Sequence, residues 1–220
     1  MNSLFDFDRQ KIRTYKYLIG TDEAGRGPGA GPVCSAAVCF KEVPSKLIKM
    51  LKDLDDSKKL SEKTREGLFD CIVQNSTFAI DFATVEEIEK INILQASLLS
   101  MKRACTQVMQ QLDSKEIMLL IDGNKLIPKF DLSQEFIIKG DSKSASIAAA
   151  SILAKVSRDR LMKELDFEFP QYNWKKNKGY LTKEHLDAID EFGICKWHRK
   201  KFLQKHFEKP KQTQLELNLK

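Results

Sequence analysis

The chain has 220 residues, 42% of them hydrophobic and 31% charged, with a formal net charge of +6. That composition supplies a real core and excludes a fibrous or wholly disordered chain. No apolar run of about 18 residues occurs to cross a membrane. Residues 196–220 hold eight Lys or Arg against two Glu, a local +6 on an otherwise neutral body. This suits a polyanion partner such as nucleic acid, although a solvated tail would look the same.

Residues 1–13, polar apart from Leu4, Phe5, Phe7 and Ile12, read as an N-terminal helix. Tyr17–Thr21 is a short apolar strand that delivers Asp22 and Glu23 to its end, followed by four glycines in seven residues (Gly25, Gly27, Gly29, Gly31) around Arg26. In a strand the two acids point to opposite faces, and both address one centre only if the chain turns there. The glycines suggest backbone held at positive φ or brought close to a ligand. Val33–Phe40 is a second apolar run, expected antiparallel to the first, and its small residues Ser35, Ala36 and Ala37 mark a place of close packing.

Lys46–Leu54 reads as a helix, and Ser61 as the N-cap of another over 62–73. Thr77–Phe82 is a strand candidate for the sheet edge. From Val85 to Leu112 apolar residues recur at spacings of three and four, a helical pattern that Asn92 interrupts. Ile117–Ile121 is nearly continuous in apolar character, as a strand covered on both faces requires, and it ends in Asp122. Phe136–Lys139 is the next strand candidate, ending at Gly140-Asp141. A long alanine-rich helix starts near Lys143, and Asp159 is expected to pair locally with Arg158, Arg160 or Lys163, or to pack against another helix. Beyond Pro170 come a polar aromatic stretch, a short helix (182–192) closed by Gly193, and a basic helical segment. On pattern alone Tyr180 reads as a core aromatic, and His185 and His198 as packed or structural residues. Five scattered cysteines without a CxxC pair, and no signal peptide, point to reduced thiols in a cytoplasmic protein.

The whole pattern predicts an α/β domain around a mixed sheet. Three predicted strands end in acid, at Asp22-Glu23, Asp122 and Asp141. Clustered carboxylates repel unless a cation gathers them, and a sulfur-free oxygen site suits Mg2+ or Mn2+. Two such ions serve phosphodiester hydrolysis. The stretch from Gly20 to Gly25 begins like a P-loop, but Arg26-Gly27 replaces the required Lys-Ser/Thr and two acids lie inside, so an NTPase is not expected.

The motifs DEAGRG (22–27) with GPV (31–33), DSKKLS (56–61), IDGN (121–124), KGDSKSASIAAASILAKVSRD (139–159), GYLTKEH (179–185) and HRKKF (198–202) resemble ribonuclease HII, in collinear order over about residues 15–202. The resemblance implies an RNase H-like fold, with a central mixed five-stranded β-sheet flanked by helices and a C-terminal helical region. It implies a catalytic domain over 1–165, a substrate-binding region over 166–209 and a flexible tail over 210–220. It also implies a Mg2+- or Mn2+-dependent endoribonuclease that cuts the RNA strand of RNA–DNA hybrids. The same enzyme would incise 5′ of single ribonucleotides in duplex DNA, leaving 3′-OH and 5′-phosphate ends by two-metal-ion catalysis. Asp22, Glu23, Asp122 and Asp141 match the metal-binding catalytic set. Gly25-Arg26-Gly27 matches the segment that reads the ribose 2′-OH, and Tyr180 the tyrosine that stacks on the next sugar. Lys59, Lys143, Ser144 and Ser146 match positions near substrate. Leu181 and Lys201 depart from the usual proline and serine. The 16 residues ahead of the first strand argue against the related ribonuclease HIII, which carries an extra N-terminal domain. A monomer is expected. Gln214–Leu217, within 212–219, loosely resembles a sliding-clamp docking motif. The alternatives are another metal nuclease of this fold, without the DEAGRG loop and tyrosine, and a non-catalytic nucleic-acid-binding module.

Overall fold

The computed structural model describes residues 3–54 and 60–208, and of Ser3 the backbone alone. Lys59 and the 212–219 segment lie outside the described residues. The chain forms α1 (Ser3–Lys11), β1 (Tyr17–Ala24), β2 (Val33–Cys39), α2 (Ser45–Met50), α3 (Glu62–Asn75), β3 (Thr77–Ala83), α4 (Val85–Ile91), α5 (Ile93–Met109), β4 (Ile117–Asp122), β5 (Ser133–Ile137), α6 (Ala145–Glu168), α7 (Trp174–Asn177), α8 (Lys183–Phe192) and α9 (Lys200–Phe207). The strands make one mixed five-stranded sheet in the order β3-β2-β1-β4-β5. Its β1–β2 and β2–β3 pairs are antiparallel, and its β1–β4 and β4–β5 pairs parallel.

Side-chain alternation divides the sheet between two helices. Ile19, Ala37, Ile117, Leu119 and Ile121 pack with Met101, Ala104 and Val108 of α5. On the other face Cys34, Ala36 and Val38 meet the alanines of α6, with α1 and α3 outside. The small residues of β2 are thus explained, since helices press on both of its faces. Gly20 is the tightest point: a Cβ there would lie 2.4 Å from the α6 backbone at Ser146 and Ile147. A third cluster gathers Met162 and Leu165 of α6 with Tyr172, Trp174, Ile189, Leu203 and Ala30. No helix among the described residues is long and apolar enough to cross a membrane.

The interruption expected at Asn92 divides the 85–112 pattern into two helices: Asn92 adopts φ 68° and caps the second by accepting from Leu94 and Gln95 N–H. Three local expectations change. The helix expected to Leu54 stops at Met50. The last strand is Ser133–Ile137 rather than Phe136–Lys139. The apolar triplet Phe136-Ile137-Ile138 drew the expectation C-terminally, but Ile138 is 58% exposed and Lys139 turns left-handed at φ 54°. Asp159 pairs with Lys155 at 2.7 Å.

Candidate active site

The site is built at the C-terminal ends of β1 and β4. Thr21 and Ile121 are partners in the parallel register, so the next residues, Asp22 and Asp122, end neighbouring strands. Both continue the alternation of Leu18, Met118 and Leu120, which pack with Ile147 of α6. Two carboxylates therefore stand on one face, on strands about 4.8 Å apart. The strand carries on through Glu23 to Ala24, so Glu23 takes the opposite face and lies beside Ser97 of α5.

Asp22 is buried, and its Oδ1 accepts the Glu23 N–H at 2.6 Å. Burial pushes its carboxyl well above the usual range, and the charges of Glu23 and Asp122 push the same way, against a hydrogen bond from Ser151 of α6. Burial also raises Glu23, with Asp122 adding to it and Arg26, 3.4 Å away, opposing. Asp122 Oδ1 accepts the Gly140 N–H at 2.7 Å, which ties the Gly140–Ser142 3-10 turn to the end of β4. Asp141 rides on that turn.

Among the described residues, no group of three or more His, Cys, Asp or Glu is assembled that could hold a metal ion. What is present is a mutually repelling oxygen set, with Arg26 the cation that acts on Glu23. That donor chemistry fits a hard divalent ion.

Beside the acids lies a cleft of about 240 Å³ walled by Asp22 to Gly27, Ser151, Lys155, Arg158 and Tyr180. Tyr180 is 52% exposed and so is not the core aromatic its pattern suggests. Its ring faces Gly27, where a Cβ would sit 3.4 Å from Tyr180 Cε1. Lys143 is exposed just after the Asp141 turn. Ser144 and Ser146 are buried instead of facing the cleft. Ser144 caps α6 by accepting the Ile147 N–H, and Ser146 donates its N–H and Oγ to Asp8 of α1, at 2.9 and 2.8 Å.

The loop from Gly25 to Pro32 is held from beneath. Arg158 donates to the carbonyls of Pro32, Ala30 and Lys178 at 2.9–3.0 Å, and Arg199 to four others. Gly25, at φ 98°, leaves room for the Arg158 guanidinium, which a Cβ would overlap at 2.0 Å. Gly25 thus serves packing against a buried cation, while Gly29 leaves room for Leu181. Sequence reasoning missed Ser151, Lys155 and Arg158, although their i, i+4, i+7 spacing marks one polar stripe on an otherwise alanine-rich helix.

The Tyr180 loop rests on a histidine pair. His185 Nδ1 donates to the Tyr180 carbonyl at 2.9 Å, so its Nε2 is an acceptor, which the Trp174 Nε1–H and His198 Nε2–H both address at 3.1 Å. His198 Nδ1 in turn accepts the Cys195 N–H at 3.0 Å. Both rings are neutral with fixed tautomers. His206 pairs with Asp190 at 3.0 Å.

A family model described as Ribonuclease HII matches residues 19–209. The chain is similar to the ribonuclease HII of Fusobacterium nucleatum, with 49% identity over 208 residues, 94% of this chain and 93% of that one. Its fold is similar to that in the structure of the PCNA:RNase HII complex from Archaeoglobus fulgidus, with TM-score 0.67 and 23% identity, covering 93% and 97% of the two chains. It is similar again to Bst-RNase HIII in complex with Mn2+, with TM-score 0.63 and 18% identity, covering 87% and 70%.

Proposed function

The chain belongs to the ribonuclease HII family and is an RNase H-type enzyme of RNase H-like fold, and from that premise we propose how it works. It hydrolyses the RNA strand of RNA–DNA hybrids and incises 5′ of single ribonucleotides in duplex DNA, leaving 3′-OH and 5′-phosphate ends. One observation carries this reading: Asp22 and Glu23 line one cleft with the Gly25-Arg26-Gly27 loop and the exposed Tyr180 ring, and the charge of Asp122, at the end of the neighbouring strand, acts on both acids.

Asp22, Glu23, Asp122 and Asp141 would hold two magnesium or manganese ions, which when bound activate the attacking water and stabilise the leaving oxygen. Gly25, Arg26 and Gly27 read the 2′-OH, the group that separates RNA from DNA. Arg26 and Lys143 hold backbone phosphates, and Lys59 has a similar supporting role. Tyr180 stacks on the sugar after the ribonucleotide. Ser144 and Ser146 act through α6, fixing the helix start behind the Asp141 turn. With His185, His198 and His206 all engaged elsewhere, no histidine serves as general base.

Residues 1–165 form the catalytic domain, and 166–209 the substrate-binding region that carries Tyr180. The five free thiols suit the reducing cytoplasm. Following the PCNA complex of the Archaeoglobus protein, residues 212–219 are assigned to a sliding clamp. Unchanged clamp retention after deletion of 212–220 would remove that assignment. The central test is a labelled DNA duplex with one ribonucleotide beside its all-DNA control, each with and without Mg2+. Cleavage is expected only with the ribonucleotide and the metal together, and equal cleavage of both duplexes would reject the reading.

A further inference from the structure

Arg199 is fully buried, and no ion pair to it occurs among the described residues. Its guanidinium instead donates to Gly31 O at 2.9 Å, Pro28 O at 2.8 Å, Arg26 O at 3.2 Å and Gly25 O at 2.7 Å. Its backbone N–H donates to Gly29 O at 2.8 Å. Arg158 takes the Ala30 and Pro32 carbonyls. Seven of the eight carbonyls from Gly25 to Pro32 are therefore turned inward onto two arginines. Burying a cation against carbonyls and the Phe202 ring, with no close carboxylate partner among the described residues and beside a second cation, is a costly way to hold a loop. A loop that needed only to be stable would be held more cheaply by apolar packing.

The consequence lies in the peptide units. In a trans peptide the C=O and the following N–H point in opposite directions. By fixing the Gly25 and Arg26 carbonyls inward, Arg199 turns the N–H groups of Arg26 and Gly27 outward. Both residues are exposed, and neither N–H bonds to any described residue. A flip of either peptide would present a carbonyl to the cleft in place of a donor.

We propose that Arg199 is a positioning residue for substrate discrimination: it sets the donor polarity of the Arg26 and Gly27 amides and so the preference for ribose over deoxyribose. This rests on the functional reading above. The test compares wild type with Arg199→Lys, which keeps a cation but loses the planar fork that reaches four carbonyls. Expected is a loss of about a hundredfold in kcat/KM on the single-ribonucleotide duplex, with binding of the all-DNA duplex unchanged. If Arg199→Lys keeps the wild-type preference, or weakens both duplexes equally, the positioning role is overturned. If wild type itself shows no preference for the ribonucleotide, the functional reading fails, and this proposal with it. Should Arg199→Lys not fold, amide exchange in wild type decides. The Arg26 and Gly27 amides must exchange freely alone and become protected by a ribonucleotide duplex in Ca2+, but not by all-DNA. Absence of that protection rejects the proposal.

Discussion

At the scale of single residues, the site stores repulsion. Asp22 is buried beside two other carboxylates, and its raised pKa means that folding is opposed by its ionised form: stability is present at low pH and lost as pH rises through the folded-state pKa. Removing the charge relieves that cost while removing one carboxylate from the set proposed to hold the metal ions. Asp22→Asn is therefore expected to abolish cleavage and, in EDTA, to raise unfolding stability by about 0.5–2 kcal/mol. Near wild-type turnover, or a destabilised variant, contradicts the argument. The position of Asp22 was legible in sequence because an apolar strand running into two acids has few other uses. The burial that gives it this energy was not, since it depends on α6 closing over the face from more than a hundred residues away. Ser144 and Ser146 show the reverse problem: their identities match substrate-adjacent positions, yet the Ser144 hydroxyl caps α6 and the Ser146 hydroxyl binds Asp8 of α1. A hydroxyl beside a catalytic turn and one that caps a helix look the same in a sequence.

At the scale of elements, apolar pattern located the helices and strands well where cores enforce it. The continuous run Ile117–Ile121 and the period of α5 both lie against packed neighbours. Pattern failed at β5, an edge strand whose outer side chains answer to no core, so that its apolar triplet misplaced the register. It also could not distinguish glycines that free a backbone from glycines that admit a neighbour. Gly20 is of the second kind, with the backbone of α6 against it. Gly20→Ala must push α6 from the sheet and is expected to cost about 1–3 kcal/mol in urea unfolding, with lower activity because Ser151 moves with the helix. An unchanged midpoint would mean that the helix gives way freely.

At the scale of the molecule, the C-terminal elements rest on a core with two neutral histidines. Burial lowers the pKa of His185, and burial together with His185 lowers that of His198 to about 4. The unfolded chain takes up protons near pH 6.5 that the folded pair refuses, so this contribution is intact above about 6.5 and falls away toward pH 4. The loss should reach about 2–3 kcal/mol over that window. His198→Gln should flatten the slope in denaturant titrations at several pH values, and a slope equal to wild type would exclude the pair as its source. The basic tail suggested a nucleic-acid partner from charge alone, but Arg199 within that run is buried against the glycine loop, a contact no charge count shows. One further consequence belongs to α6. A single unbroken rod caps itself behind the Asp141 turn, touches Asp22 through Ser151 and grips the glycine loop through Arg158, about 10 Å further on at ~1.5 Å per residue. Such a rod works as a calliper with a fixed opening. Loops can lengthen around it, but one residue inserted between Ser151 and Arg158 would turn the two contacts about 100° apart. The spacing between the acids and the loop is thus written into one helix, where a change in length cannot be absorbed.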